Sequence, residues 1–421
     1  MGYTRGDEYV LTPYAMAQGG DGVARIDGMA CFVRGALPGE EVRVVLTDVQ
    51  KNFLKADVVH IATASPVRVA PRLADAPHME WQFIEIQAQR AFKAQILAEQ
   101  LTYLGKLTDI PAVTQQVASA PWHYRNTAHL HGYGTYLGYK SDKRAHVTEV
   151  AADPLLHPVL HDAVTTLRHV VRAHQLPART PWQATVRVSE TTGAIVAAFD
   201  DLPNRDAIAI RAAWATACPQ LVGVQMPYGV HEGDDTISEM HYGMTMQLGA
   251  KTFFQVSLAA ARTLCDAVIA GLGPMVAEWR ILDAYCGAGT FTLPLAQRAQ
   301  RVIGIEEYAP AVENALRNAH ANGLENVTWY TAPVEKAISQ LSDIDAVVLD
   351  PPRRGAHADA IYGIVALAPQ RIVYVSCHPG TLARDVQLLV AGGYRVATVT
   401  SVDCFPQTAH VESVTVLERN A

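Results

Sequence analysis

From Arg280 onward the chain alternates short apolar runs with stretches of helical periodicity. That alternation is the signature of a doubly wound parallel sheet covered by helices, and little else satisfies it. The predicted strands are Arg280–Tyr285, Arg301–Glu306, Val327–Tyr330, Ala346–Asp350, Arg371–Ser376, Arg395–Val402 and Val411–Leu417. One helix is expected from about Pro310 to Ala321, stopped by Asn322-Gly323, a good C-terminal signal. The last two strands leave no room for a crossover helix, so they should pair antiparallel. Open sheets of this kind hold their ligands at the carboxyl ends of the strands.

Four of those strand ends carry chemistry. Arg371–Ser376 runs into Cys377, and Pro379-Gly380 breaks the run before a helix begins at Thr381. A thiol beside a helix amino terminus is placed to be a thiolate nucleophile; the alternative is a small buried hydrophobe. Asp283-Ala284-Tyr285-Cys286-Gly287-Ala288-Gly289-Thr290 follows the first strand, and its glycines permit a tight turn and close backbone approach to a ligand. About twenty residues on, Gly304-Ile305-Glu306 ends the second strand, where an acid can hold two ribose hydroxyls. The loop lacks the third glycine of the dinucleotide fingerprint, and the chain has no Walker lysine. An adenosyl cofactor without a pyrophosphate fits better than NAD or ATP. Asp350-Pro351-Pro352 ends the fourth strand. Asp283, Gly287, Glu306, Asp350 and Cys377 should therefore share one rim.

The rest of the chain differs in character. Up to about Ser65 it reads as an all-β module of five or so short strands, divided by Gly19-Gly20-Asp21-Gly22, Asp27-Gly28 and Pro38-Gly39, which suggests a small barrel. Arg25, Arg34, Lys51 and Lys55 are candidates for phosphate contacts, with ordinary surface charge as the alternative. Pro66–Pro77 reads as a linker and Trp81–Leu104 as a helix. From Pro121 to about Gly249 the pattern is mixed and strand-rich. There Tyr133, Tyr136 and Tyr139 stand near Arg125, Lys140, Lys143 and Arg144, an arrangement suited either to stacking on unpaired bases or to a sheet packing on itself. The domains expected are 1–65, 66–250 and 251–421.

Composition sets the outer limits. With 421 residues, 49% hydrophobic and 18% charged, the chain can bury a sizeable core and is not globally disordered. Its 6 cysteines are scattered with no C-x-x-C pair, which argues against a disulfide framework and a zinc ribbon. No signal-peptide core and no run of membrane-spanning length is seen, so a reducing cytoplasm is the expected compartment. A net charge of -7 argues against non-specific coating of nucleic acid and leaves room for a local basic groove.

Taken together, F-F-Q-V, D-A-Y-C-G-A-G-T-F-T-L-P-L-A, G-I-E, D-P-P-R-R-G, Y-V-S-C-H-P-G-T-L-A-R-D and D-C-F-P-Q-T-A-H-V-E-S-V resemble the RNA uracil-5-methyltransferase family. The stretch A-Q-G-G-D-G-V-A-R-I-D-G-M-A-C-F-V-R-G-A-L-P-G-E resembles a TRAM domain, a small RNA-binding barrel. The resemblance implies a Rossmann-like class I methyltransferase domain behind an OB-like TRAM barrel and a central mixed α+β RNA-binding domain. It implies S-adenosyl-L-methionine held by Gln255, Tyr285, Glu306 and Asp350, Cys377 as nucleophile and Glu412 as general base, with His410 the neighbouring alternative. Many bacterial members carry an iron–sulfur cluster on cysteines just after the barrel. Here no cysteine lies between Cys31 and Cys218, so no cluster and no metal are expected, and His78 in that region is expected to be a surface or packing residue.

The implied chemistry is covalent. Thiolate addition to uracil C6 makes C5 nucleophilic toward the cofactor methyl, and a base then removes the C5 proton. The uracil must leave its stack to reach the rim. Arg353 and Arg354 are candidates to hold phosphates or uracil carbonyls. RNA cytosine-5-methyltransferases usually carry a second cysteine just after the D-P-P, where this chain has Arg353. A non-catalytic RNA-binding factor is disfavoured by the intact Cys377 and Glu412, and a small-molecule methyltransferase by the barrel. The expected partner is structured RNA, 23S ribosomal RNA ahead of the tRNA T-loop, bound by a monomer.

Overall fold

Eight strands of the C-terminal half form one twisted sheet. In this computed structural model, which describes residues 2–74, 76–140, 147–177 and 180–420, the strand order is Val327–Thr331, Arg301–Glu306, Arg280–Ala284, Ala346–Leu349, Arg371–Ser376, Glu412–Arg419, Tyr394–Asp403 and Thr114–Val117. The first five run parallel, and Glu412–Arg419 is antiparallel to both its neighbours. The central strand Ala346–Leu349 is apolar throughout because both its faces are covered. Ile372 and Tyr374 pack with the helices Ile86–Glu99, Ala358–Leu367 and Pro379–Ala391, while Val373 and Val375 face the helix Leu258–Leu272 on the other side. The helix expected from Pro310 spans Ala309–Ala321.

Three expectations are corrected. Tyr285 and Asp350 lie one residue beyond their strands, because the backbone turns over the sheet edge there: Tyr285 takes a φ of 67°, and its N–H and that of Cys286 both donate to Ile305 O. The helix expected over Trp81–Leu104 starts only at Ile86, where the Glu85 carboxylate caps the N–H groups of Gln87 and Ala88, and its last turn widens into a π-helix at Gln100–Leu104. Trp81 sits in the preceding turn. The 66–250 segment also divides. Ile86–Glu99 packs on the C-terminal sheet, and Thr114–Val117 extends that sheet, pairing parallel with Thr400–Asp403.

The N-terminal module has six strands around an apolar cluster that includes Ala24, Cys31, Val33, Val42, Val44 and Leu54. Glu40 is fully buried and fastens the module to the chain that follows. Its carboxylate accepts from Arg68 Nε at 2.6 Å and Nη2 at 2.7 Å, and from the Leu37 and Ser65 N–H groups. Of the candidate phosphate contacts, Arg34 pairs with Asp57 and Arg25 donates to Gly28 O.

The central unit is a seven-stranded sheet backed by the helices Pro158–His174 and Asn204–Ala217, around Trp182, Phe199 and Trp214. Tyr133 and Tyr136 are exposed, but Tyr139 is half-buried and donates to Asp153 at 2.6 Å. Arg125 is half-buried too, 5.9 Å from the Tyr124 ring centre. Lys143 and Arg144 lie outside the described residues. His78 is a packing residue. It stacks on Tyr139 at 4.1 Å with Nε2 3.0 Å from Asp153, tying the cysteine-free segment after the barrel to the central unit. Among the described residues no group of three or more His, Cys, Asp or Glu could hold a metal ion, and no helix is long and apolar enough to cross a membrane.

Candidate active site

The carboxyl ends of the parallel strands open onto a cavity of about 890 Å³. Gln255, Tyr285, Glu306, Asp350, Cys377 and Glu412, all singled out from sequence, line it together. That volume is at the upper end of what a small-molecule site needs, enough for a cofactor and one extruded base.

The cofactor side is built from turns. Gly287 has a φ of 53° and no heavy atom within 4 Å of where its Cβ would stand, so a ligand can approach the backbone there. Glu306 is held rather than free: Oε2 accepts from Gly287 N–H at 3.2 Å and Oε1 from Tyr308 N–H at 2.9 Å. Both oxygens keep lone pairs for a diol. Gln255 is positioned by the central unit, since Asn126 donates from Nδ2 to Gln255 O and its N–H to Val256 O. Asp283 is fully buried behind the loop. Thr292 donates to Oδ2, and Oδ1 has no partner among the described residues.

The electrostatics are acidic. Burial pushes the Asp283 and Asp350 carboxyls up to about 7, with the charge of Asp283 adding to the effect on Asp350. Glu412 is 4% exposed and rises well above the usual carboxyl range, from burial first and then Asp350. An unpartnered carboxylate oxygen behind the loop and carboxyls short of countercharge suit a cationic ligand. The lining therefore fits S-adenosyl-L-methionine, which brings a sulfonium with a transferable methyl group.

The surroundings of Cys377 oppose the ionisation expected of it. Burial, then Glu412 and Asp350, push the Cys377 thiol up to about 12; Arg353 and a backbone N–H only partly offset this. A helix dipole acts over one turn and loses to desolvation beside two acids. These surroundings disfavour the thiolate, and positive charge entering the cavity favours it.

His410 is fixed in one state. Arg353 Nη2 lies 2.8 Å from its Nδ1, and a guanidinium only donates, so Nδ1 accepts and the ring proton sits on Nε2. Burial, then Arg353, lowers the His410 pKa to about 4. Phe405 packs edge-on against this ring at 5.5 Å. Phe405 and the exposed lip residue Phe253 stand inside quoted motifs but were given no role, and the exposed Tyr308 was missed; its one available signal was its place two residues past the acid. Arg354 is exposed and pairs with Glu307 at 3.6 Å.

A Rossmann-like sheet whose glycine loop and Glu306 line one cavity at the strand ends has the architecture of a class I SAM-dependent methyltransferase. Comparison with known proteins carries this further. A family model described as tRNA (Uracil-5-)-methyltransferase matches residues 252–420, and the TRAM domain model matches residues 11–59. The 23S rRNA (uracil(1939)-C(5))-methyltransferase RlmD of Methylococcus capsulatus is 34% identical, over 96% of this chain and 96% of its own length. An uncharacterized RNA methyltransferase of Gloeobacter violaceus is 33% identical over 96% of this chain and 95% of its own. The tRNA (uracil-54, C5)-methyltransferase of Pyrococcus abyssi, solved with S-adenosyl-L-homocysteine, shares the fold with a TM-score of 0.76 at 23% identity, covering 97% of this chain and 100% of that one. The chain belongs to the RNA uracil-5-methyltransferase family, and it is a SAM-dependent enzyme with an N-terminal TRAM domain.

Proposed function

We propose that this enzyme methylates C5 of a uridine in 23S ribosomal RNA, with Cys377 as nucleophile and Glu412 as general base. The observation that carries the assignment of roles is the meeting of Cys377, Asp350 and Glu412 on one cavity beside the glycine loop and Glu306. Cys377 Sγ, as thiolate, adds to uracil C6 and the ring becomes an enolate. The cofactor held at Gln255, Tyr285, Glu306 and Asp350 would supply the methyl group to C5, its S–CH3 bond breaking to leave S-adenosyl-L-homocysteine as the neutral thioether. Glu412 takes the C5 proton, the C5–C6 double bond reforms and the thiolate leaves. A carboxylate whose pKa is raised by burial is a better match for that proton than His410, whose free lone pair is already committed to Arg353. Gln255, Tyr285, Glu306 and Asp350 hold the cofactor.

The choice of 23S RNA is supported by full-length relatives that carry that substrate in their names, at 31–34% identity. Exposed Tyr133 and Tyr136 of the central unit are suited to unpaired bases. Mapping 5-methyluridine in cells lacking the protein tests the target: one 23S site should vanish while tRNA is unchanged, and loss from the tRNA T-loop would overturn it. Cys377→Ala should still bind cofactor yet lose transfer and form no adduct with 5-fluorouridine RNA; normal turnover in that variant would end the covalent reading.

A further inference from the structure

The loop that joins the last two strands and delivers His410 and Glu412 to the cavity is gripped from outside the sheet. Gln407 holds a φ of 68°, a conformation its neighbours must enforce. Gln89 does most of this. Its Oε1 accepts the Gln407 N–H at 2.8 Å, and its Nε2 donates to Gln407 Oε1 at 3.0 Å and to the carbonyls of Trp81 and Ile84 at 3.1 and 2.9 Å. Trp81 N–H donates to Gln407 O at 3.1 Å. Lys93, 1% exposed, donates to Phe405 O and pairs with Asp403, each at 2.8 Å. The Tyr124 hydroxyl donates to Pro406 O at 3.0 Å.

The N-terminal barrel closes this clamp. Trp81 Nε1 donates to Gly20 O at 3.2 Å. A Cβ on Gly20 would stand 2.8 Å from both Ala409 Cβ and Trp81 Nε1, so only glycine fits. A turn of the barrel thus touches the residue just before His410, three before Glu412. We infer that Gly20, Trp81 and Gln89 are positioning residues for Glu412, so that the barrel sets the rate of proton removal in addition to any hold on RNA. This rests on the reading of Glu412 as the base.

Proton removal follows thiol addition and methyl transfer, so a misplaced base should leave the adduct standing. With ordinary uridine RNA, Glu412→Gln should accumulate a Cys377–RNA band, resistant to denaturing gels, that already carries the methyl group. Gly20→Ala and Gln89→Ala should accumulate the same band, lose about tenfold or more in kcat and keep the KM for RNA within about twofold. Gly28→Ala is the control: Gly28 also has a positive φ, 86°, but nothing within 4 Å, and its kcat should be unchanged. Thermal melting establishes that each variant is folded. Absence of adduct in Glu412→Gln refutes the base itself. Adduct there, but a rise in KM or a kcat loss without adduct in Gly20→Ala and Gln89→Ala, overturns the positioning role. So does an equal kcat loss in Gly28→Ala.

Discussion

Cys377 alone among the six cysteines is not fully buried, so its titration can be followed by alkylation. Its thiol is raised to about 12 by burial beside two acids. Iodoacetamide should label the cofactor-free protein slowly at pH 7.5, and the rate should climb about tenfold per pH unit up to at least pH 9. A plateau below pH 8 contradicts the buried-acid account. Asp350 makes a second prediction. Its folded pKa, about 7, lies above the unfolded carboxyl value. Stability from this group is therefore complete below about pH 4 and lost as pH rises through about 7. Asp350→Asn should melt higher than the parent at pH 8 by on the order of 1–2 kcal/mol, allowing for solvent at the cavity mouth, and with little difference at pH 4. Melting curves at the two pH values check it.

Elements were legible where burial imposes a pattern. Arg371–Ser376 is covered on both faces, so its apolar run was unbroken and its limits were read as they stand. Thr114–Val117 is T-Q-Q-V at the sheet edge and largely exposed, so nothing local marks it as a strand. Glu306, Asp350 and Cys377 lie at strand ends, where turn chemistry shows, whereas Gln255 and Glu412 were named only through the family resemblance; Gln89 and Lys93 act across more than 300 residues of chain and gave no local sign. The helix Ala309–Ala321 adds a ladder that sequence left silent. Asn314, Asn318 and the following Asn322, one turn apart, bond the backbone of the hairpin strand Met244–Leu248 at Gln247 and Thr245. Asn318 is fully buried, so Asn318→Ala strands the Gln247 N–H and should cost about 1–3 kcal/mol by chemical denaturation. A change under about 0.5 kcal/mol would mean water replaces the ladder.

At the scale of the molecule, the boundaries of composition are not the boundaries of folding. Barrel residues Met16 and Leu37 share a core with Leu382 and Val386 of the C-terminal half, and Arg90 and Lys93 both pair with Asp403. A fragment of residues 251–421 loses an edge strand, a covering helix and the countercharges of Asp403. It should fail to melt cooperatively and should aggregate on gel filtration, whereas residues 66–421 should retain a cooperative transition at lower temperature. A soluble, sharply melting 251–421 fragment would contradict this.

The parallel pairing of Thr114–Val117 with Tyr394–Asp403 carries one more implication. On the ribosome, the segment that finishes the sheet emerges nearly three hundred residues before the strand it must join. Until the final strands appear, that segment has no template, and the Cys377 rim cannot be assembled in full. Completion of the cavity is thereby tied to synthesis of Tyr394–Arg419, and a polypeptide stalled before that stretch would carry Cys377 without the Glu412 side of the cavity.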